Sequence, residues 1–307
     1  MASLRNVLTQ LQDKGAALGH FNVADLELLK AVLKAAHDVG VPVFVAASEG
    51  EREFFGARQL AALVKSLREE SDVPVFLNAD HTHSLAKAIE AAKAGFDNVG
   101  VDFSALPFEQ NVSSTKQAVD ALKSINPDIL VEGEIGDIGT GSEIHEAAQE
   151  SGNLTTPEEA KQFVDATRID ILAPAVGNRH GMAMSMVEGK TKKRLNIERI
   201  GQIKKATASF LTLHGGSGTD DGDFRQAITA GINIVHINTE LRVAWRRSLE
   251  DSLTKRPNEV VPYRILAPVI DSVSSVVNSR LRLFDARIAS QEIPSSPTEK
   301  GEVRRAG

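Results

Sequence analysis

Eight short apolar runs, separated by amphipathic stretches, constrain the fold of this chain more than any other feature. Most of the runs are rich in valine, isoleucine and alanine and lack polar alternation, which is typical of strands buried on both faces of a parallel sheet. They span residues 16–23, 41–48, 73–80, 98–103, 129–136, 171–177, 210–216 and 232–238. Residues 25–39, 85–94, 157–166 and 220–230 between them show helical spacing of apolar side chains. Strands that alternate with helices in this way predict a (β/α)8 TIM barrel.

The main alternative is an open, doubly wound sheet. Such a sheet normally has a glycine-rich dinucleotide turn after its first strand, and Gly19-His20-Phe21-Asn22 is not one. We therefore expect residues 1–290 to form a single barrel domain with an extra C-terminal helix over residues 263–288. Residues 291–307, rich in serine, proline and charge, are expected to be a disordered tail.

Composition narrows the possible partners and ligands. The 307 residues carry a net charge of −6 and no cysteine, so a metal site would have to use histidine, aspartate or glutamate. The acidic balance argues against nucleic acid as a partner. No run of apolar residues is long enough for a membrane span, and the first residues lack the apolar core of a signal peptide. A cytoplasmic protein is expected.

Three histidines lie at the carboxyl ends of separate predicted strands, where barrel enzymes place their catalytic groups. His81 follows the third strand, His180 follows the sixth and His214 ends the seventh. A single histidine there is often only a hydrogen-bonded loop residue, but three imidazoles with one open position are typical of catalytic zinc. Asp80, next to a predicted ligand, is the candidate acid/base. The same ligands would suit hydrolysis, so they do not by themselves choose the reaction.

A glycine-rich segment after the seventh strand, residues 214–218, predicts an anion site. Glycines let the backbone N–H groups approach a phosphate, and the loops after the last two strands are the usual phosphate site of a barrel. Candidate contacts are Gly215, Gly216, Ser217, Asn238 and Thr239, although a plain turn is the alternative. The basic cluster at residues 190–194 is expected to be a solvated face, with assistance to an anion as the alternative. The long polar loop at residues 137–156 is expected to act as a lid.

Taken together, the motifs resemble those of the class II, zinc-dependent ketose-bisphosphate aldolases, the group that acts on fructose and tagatose bisphosphates. The resemblance runs from about Leu4 to Phe284. It rests on Phe21-Asn22-Val23, Ala47-Ser48, Ala79-Asp80-His81, the segment 106–111, Val131-Glu132-Gly133-Glu134, the segment 156–160, His180-Gly181, the segment 213–218 and the segment 239–242.

This resemblance implies reversible retro-aldol cleavage of a ketose 1-phosphate or 1,6-bisphosphate to dihydroxyacetone phosphate and an aldehyde. It implies Zn²⁺ on His81, His180 and His214, with a monovalent cation as an additional candidate. Asp80 would act at the C4 hydroxyl and Glu143, across an alignment gap, at the C3 proton. Glu134 would lie near the metal, as a second-shell group or an alternative ligand; from the residues alone it is equally a structural carboxylate satisfied by a lysine or sodium. The remaining substrate contacts would be Ser48, Gly181, Gly215, Gly216, Ser217, His236, Asn238 and Thr239, and a homodimer or homotetramer is expected.

Several residues depart from the family pattern. His20 replaces a small residue, His236 replaces a substrate-contacting asparagine, and Glu49, Arg52 and Arg179 are also unusual. Because the first and last strands of a closed barrel are neighbours, His20 and His236 are expected to face each other. We predict that they recognise part of the substrate, the alternative being a hydrogen bond between the two rings. An aldolase for sulfofructose 1-phosphate or a deoxy-keto-sugar-acid phosphate, and a non-catalytic sugar-phosphate-binding barrel, are the competing functions.

Overall fold

Eight parallel strands close into a barrel in the computed structural model, which describes residues 3–139, 141–146 and 152–285. The barrel strands are β1 (Leu18–Asn22), β2 (Val43–Ala47), β3 (Val75–Thr82), β4 (Asn98–Val101), β5 (Leu130–Ile135), β7 (Ile171–Pro174), β9 (Phe210–Leu213) and β10 (Ile232–Ile237). Two shorter strands, β6 (Ile144–His145) and β8 (Met182–Ala183), pair outside the barrel. Because β10 pairs with β1 and closes the sheet, all eight predicted strands and the TIM-barrel fold are confirmed.

Helices surround the barrel, and their ends follow from local chemistry. They are α1 (Leu4–Asp13), α2 (Leu26–Val39), α3 (Glu49–Phe55), α4 (Ala57–Glu70), α5 (Leu85–Ala94), α6 (Phe108–Ile125), α7 (Pro157–Thr167), α8 (Met184–Val187), α9 (Ile197–Ala206), α10 (Asp221–Ala230), α11 (Thr239–Lys255) and α12 (Pro262–Phe284). Asp25 and Ser84 cap α2 and α5 by accepting backbone N–H bonds in the first turn. The four predicted helices are confirmed to within one residue, and α12 is the expected C-terminal helix.

The inside of the barrel changes from apolar to polar along the strands. At the amino ends, Leu18, Phe76, Leu130 and Ile234 pack with the buried face of α1, which closes that end. Two residues further along, the inward positions are taken by His20, Asn78, Glu132 and His236, all buried. Successive side chains of a strand alternate between inside and outside, so these residues form the next layer toward the carboxyl ends. Polar chemistry is thereby restricted to one end of the barrel.

The predicted lid is partly regular. Its residues 144–145 form β6, which runs parallel to β8, and Met182 N donates a 2.9 Å hydrogen bond to Glu143 O. This contact fixes the described part of the lid beside the loop that carries His180. The terminal helix, predicted to run to residue 288, ends at Phe284, and Asp285 is extended and pairs with Ala16. The predicted tail at residues 291–307 lies outside the described residues.

Candidate active site

Three strands bring the predicted metal-binding histidines together at the carboxyl end of the barrel. His81 lies in β3, His180 follows β7 and His214 comes directly after β9. Together with Glu134 of β5, each can offer a ligand atom within 4.8 Å of the other three. His81 has a φ of 42°, a left-handed conformation that is unusual for a residue other than glycine. Such strain is typical of functional sites, because the surrounding structure has to hold it in place.

Two carboxylates orient two of the imidazoles. Asp102 Oδ2 lies 2.9 Å from His81 Nδ1, and Glu132 Oε1 lies 2.6 Å from His214 Nε2. Each carboxylate accepts a ring N–H, so the ring nitrogen left to bind a metal is Nε2 in His81 and Nδ1 in His214. These two nitrogen atoms are 3.1 Å apart. Two ligands of a tetrahedral zinc ion would be separated by about 3.3 Å, given Zn–N bonds of 2.0–2.1 Å.

Unpartnered ligand atoms also fit a divalent cation. His180 Nε2 and Glu134 Oε2 are buried and lack hydrogen-bond partners within the described part of the chain. Glu134 Oε2 is 3.4 Å from His214 Nδ1. Three imidazoles and a carboxylate are a ligand set that suits zinc. A second group of Asp80, Glu132, His214 and His236 also has its ligand atoms within 4.8 Å of one another, but its His214–Glu132 pair is already joined by a hydrogen bond.

The ionisable side chains of this cluster differ in the direction in which their pKa values are shifted. Burial lowers the pKa of His180 well below its ordinary value, and positive His81 lowers it further. Burial also opposes the charged form of His81, but Asp80, Asp102 and Glu134 raise its pKa to about 10. Burial and then Asp102 raise the pKa of Glu134 to about 7. A cation that binds here would therefore displace a proton from His81.

Asp80, the candidate acid/base, is buried beside this cluster. Its Oδ2 atom accepts a 2.9 Å hydrogen bond from Asn22, and its Oδ1 atom lies 3.4 Å from His236 Nδ1. Burial opposes ionisation, but His81 and His236 hold the pKa of Asp80 well below its usual range. The side chain is therefore a carboxylate that can accept a proton.

The unusual histidines His20 and His236 stack face to face. They pair in register across β1 and β10, with ring centroids 3.4 Å apart and planes 9° from parallel. His236 also stacks on His214, at 4.0 Å. The alternative of a hydrogen bond between the two rings is wrong, because His20 Nε2 instead lies 2.8 Å from the Asn78 amide. Burial lowers the pKa of His20 to about 3, so it is neutral.

Only one of these two histidines reaches the cavity at the barrel mouth. His236 lines an inner cavity with Asp80 and His180, and its Nε2 atom has no partner among the described residues. His20 lies beneath it and is not part of that lining. The structure thus places His236 where it can contact a ligand and His20 where it can only support His236.

Glycine-rich loops form the opposite wall of the inner cavity, which Gly181, Gly215, Ser217, Asn238 and Thr239 line. The backbone N–H groups of Gly181, Gly215 and Ser217 donate no hydrogen bond within the described ranges. Ser217 Oγ accepts from the N–H groups of Asn238 and Glu240, so its own hydroxyl proton remains available. The free N–H groups of the glycine loops, together with the Ser217 hydroxyl and the N-terminal end of α11, are suited to an anion.

A wider cleft of about 370 Å³ opens outward from the metal cluster. Ser48, Glu49 and Glu143 line it together with His81 and His180. Arg242 bridges its rim by donating 3.1 Å to Ser142 O and 2.6 Å to Glu51 Oε1. The described lid residues therefore form one wall of the cleft, and Glu143 belongs to that wall.

Three of the sequence candidates lie away from both cavities. Arg52 is buried and donates to the carbonyl oxygens of Ala47 and Asp80, so it supports the backbone at the acid/base. Arg179 forms a 3.2 Å ion pair with Asp137. Gly216 donates its N–H to His236 O, and a Cβ atom there would lie 2.7 Å from that oxygen. The geometry places Arg52 and Arg179 in supporting positions outside the lining of the site.

Sequence reasoning missed two contributors to the site. Asp102 is not among the sequence candidates, although it lies near the carboxyl end of the predicted run at residues 98–103 and directly follows β4. Lys193 belongs to the basic cluster for which a solvated face is expected and assistance to an anion is the alternative, yet it is only 8 % exposed. A single buried lysine among exposed ones leaves no clear signal in the sequence.

Comparisons with known proteins agree with this geometry. The family described as "Fructose-bisphosphate aldolase class-II" matches residues 2–287. The chain is 33% identical over 300 residues to a fructose-bisphosphate aldolase of Thermus caldophilus, covering 91% of this chain and 96% of the relative. It is 31% identical over 280 residues to a sulfofructosephosphate aldolase of Alkalicoccus urumqiensis, covering 91% and 95%.

A solved structure is also similar to this chain over most of its length. The crystal structure of the YdjI aldolase from Escherichia coli K12 matches with a TM-score of 0.78 and 28% identity, covering 94% of this chain and 99% of that one. Among the described residues, no helix combines the length and apolar character needed to cross a membrane. The whole-chain family match, together with the histidine cluster and the closed barrel, shows that this chain belongs to the class II fructose-bisphosphate aldolase family.

Proposed function

We propose that the chain catalyses reversible retro-aldol cleavage of a ketose 1-phosphate or 1,6-bisphosphate, with dihydroxyacetone phosphate and an aldehyde as products. The observation that carries the proposal is the arrangement at the inner cavity. Asp80, His180 and the glycine-rich wall line the same space. A general base, a metal ligand and an anion site within one cavity match the needs of a phosphorylated substrate whose C–C bond is broken.

His81, His180 and His214 would hold Zn²⁺, with Glu134 as an additional or alternative ligand. Support comes from the 3.1 Å separation of His81 Nε2 and His214 Nδ1 and from the unpartnered His180 Nε2. When bound, such a cation draws electron density from the ketose carbonyl and stabilises the negative charge that develops on its oxygen. The protein contributes the orientation of the imidazoles through Asp102 and Glu132.

Asp80 would accept the proton of the substrate C4 hydroxyl. As that proton leaves, the C3–C4 bond breaks, the C4 oxygen becomes the aldehyde carbonyl, and the bonding electrons pass to C3 and the adjacent carbonyl. Asn22 and His236 contact the two carboxylate oxygens of Asp80 and hold it in position. General bases placed in this way contribute roughly 10²- to 10⁴-fold to rate.

Glu143 would return a proton to C3 and so release dihydroxyacetone phosphate. It lines the outer cleft from the lid, and its carbonyl group is bound to Met182 N beside the His180 loop. A lid carboxylate can approach a substrate that has already entered, because loop closure is a common way to complete a catalytic site.

The free N–H groups of Gly181, Gly215 and Ser217 would bind the phosphate at C1 of the ketose. The hydroxyl of Ser217 and the N–H group of Thr239 would add donors, and Asn238 would line the site at the start of α11. Ser48 and Glu49 line the outer cleft, on the side of the departing aldehyde in this orientation.

His236 would contact the sugar through its unpartnered Nε2 atom, with His20 fixing the ring from below. A sulfofructosephosphate aldolase among the relatives makes a changed aldehyde half the second candidate. A substrate panel on His236→Asn and His20→Ala decides whether this pair sets specificity. Unchanged ratios of kcat/KM across the panel in both variants would end that idea.

The central experiment is a cleavage panel of ketose phosphates that detects dihydroxyacetone phosphate and identifies the partner aldehyde. Chelation is expected to abolish activity, and zinc or cobalt to restore it. Asp80→Asn is expected to lose roughly 10²- to 10⁴-fold in kcat while its zinc content stays unchanged. Cleavage that survives exhaustive chelation would refute the proposed mechanism.

We also propose a cytoplasmic homodimer or homotetramer. Val260 and Tyr263, near the turn between α11 and α12, are 83 % and 72 % exposed, as expected of side chains that a second subunit would cover. Light scattering of the purified chain measures the assembly directly, and a monomer at working concentration would contradict it.

A further inference from the structure

Lys193 is a buried cation directly behind the glycine-rich wall. Its Nζ atom lies 2.6 Å from Arg179 O, 2.6 Å from Gly181 O and 2.9 Å from Gly215 O. These three carbonyl groups flank two of the proposed metal ligands, His180 and His214. The single ammonium group therefore joins the loop after β7 to the loop after β9.

The number of acceptors indicates the charge state of the lysine. A carbonyl oxygen can only accept a hydrogen bond, and three of them need three N–H donors, which an ammonium group has and a neutral amine lacks. Burial lowers the pKa of Lys193 to about 7, while Glu240 raises it. The three carbonyl groups favour the charged form as well.

The main chain of Lys193 is anchored to the same wall. Its N–H donates to Gly218 O at 2.9 Å, and its carbonyl accepts from Asp220 N at 3.2 Å. Both the main chain and the ammonium group of Lys193 are thus bonded to the loop after β9.

Gly181 and Gly215, whose carbonyl groups accept hydrogen bonds from Lys193, are also two of the residues that form the proposed anion site. Gly181 and Gly215 have φ values of 72° and 59°, line the inner cavity, and have N–H groups without acceptors in the described residues. A contact that fixes their carbonyl groups also fixes the direction of the peptide units around those N–H groups. Within the described ranges, no lysine or arginine lines the inner cavity itself, so Lys193 supplies positive charge from behind the wall.

Three carbonyl oxygens at 2.6–2.9 Å from one point resemble the oxygen shell that proteins offer to a monovalent cation. We infer that Lys193 is a built-in replacement for such a cation: its ammonium group holds the loops after β7 and β9 in the conformation that binds the substrate phosphate. Lys193 is a positioning residue, and this inference rests on the proposed phosphate site. A monovalent cation is an additional candidate from the sequence, and by this inference the ammonium group of Lys193 takes the role of that cation.

The first test needs no variant. Cleavage by the zinc-loaded chain is measured in K⁺, Na⁺, NH₄⁺ or tetramethylammonium chloride at constant ionic strength. Equal kcat and KM in all four salts are expected, and a requirement for K⁺, Na⁺ or NH₄⁺ would overturn the inference.

The second test removes the ammonium group. Lys193→Ala leaves the three carbonyl groups and an open space, and its KM for the ketose phosphate is expected to rise about 10- to 100-fold, the effect of losing hydrogen bonds to a charged group. K⁺ or NH₄⁺ should recover much of that loss, whereas tetramethylammonium should not. Lys193→Met fills the space with an apolar chain and should show the loss without the recovery. Lys190→Ala, at an exposed lysine of the same segment, should match the parent.

Binding of inorganic phosphate to the zinc-loaded parent and variants, measured by calorimetry, separates this inference from the proposed reaction. If the parent cleaves no ketose phosphate, and Lys193→Ala binds inorganic phosphate more weakly than the parent, the proposed reaction fails and the inference stands. An unchanged phosphate affinity in folded Lys193→Ala refutes the inference, whatever the activity. If Lys193→Ala does not fold, Lys193→Met and the salt series on the parent still decide.

Discussion

Glu132→Gln tests whether a buried carboxylate sets the proton position on a metal ligand. Glu132 Oε1 lies 2.6 Å from His214 Nε2, and both side chains are 2 % exposed. A glutamine of the same shape keeps the packing but removes the charge that favours an N–H at Nε2. Its amide group can also turn its NH₂ to the ring, which would place the ring proton on Nδ1, the atom proposed to bind zinc.

The expected loss follows from this geometry. Partners that orient a metal-binding histidine are typically worth about 10- to 100-fold in metal affinity, or about 1.4–2.7 kcal/mol. Competition with a chromophoric chelator measures zinc affinity without any need for substrate. Glu158→Gln, at an exposed glutamate in the first turn of α7, makes the same change of net charge far from the ligands and should bind zinc like the parent. Zinc affinity within twofold of the parent in Glu132→Gln would show that the reasoning about the ring proton is wrong.

Three further predictions concern pH, packing and the glycine-rich wall. Because the pKa of His81 is raised to about 10, zinc must displace a proton from this imidazole when it binds. Zinc affinity should therefore rise at least about tenfold per pH unit between pH 7 and 9. Calorimetry in buffers of different ionisation enthalpy should detect the released proton, and the absence of proton release would contradict the assignment. Phe163→Ala, at a fully buried ring, should lower the free energy of unfolding by about 3–5 kcal/mol in chemical denaturation, whereas Phe54→Ala, at an 81 % exposed ring, should leave it nearly unchanged. Gly215→Ala would place a Cβ atom 2.3 Å from Arg179 O and should raise the KM for the ketose phosphate. Gly189 has a similar φ but open space around it, so Gly189→Ala serves as the control for backbone strain. Equal KM values in the two variants would exclude an effect of the clash.

Much of the fold could be predicted because it depends on local patterning. The eight strands follow from apolar runs buried on both faces, and the helices from apolar spacing with caps such as Asp25 and Ser84. The position of His81, His180 and His214 at one end of the barrel follows from parallel strands, since all their carboxyl ends point the same way. These inferences need only the order of residues along the chain.

Other features could not be predicted, because they depend on distances between strands that are far apart in sequence. The facing of His20 and His236 follows from strand order, but their stacking with His214 depends on the register and tilt of the closed barrel. Arg52 was a specificity candidate by its unusual identity, yet packing turns its guanidinium toward backbone carbonyl groups. Neither orientation is encoded in local spacing.

The sequence by itself determined the barrel, the residue types that could bind a metal in the absence of cysteine, and the end of the barrel at which they meet. Only the tertiary structure decided which carboxylates orient the imidazoles, that His236 reaches the cavity while His20 supports it, and that Lys193 lies under the glycine-rich wall. The physical reason is that side-chain patterning records burial and secondary structure, whereas a hydrogen bond of 2.6–2.9 Å, such as those of Lys193, depends on how the whole chain closes.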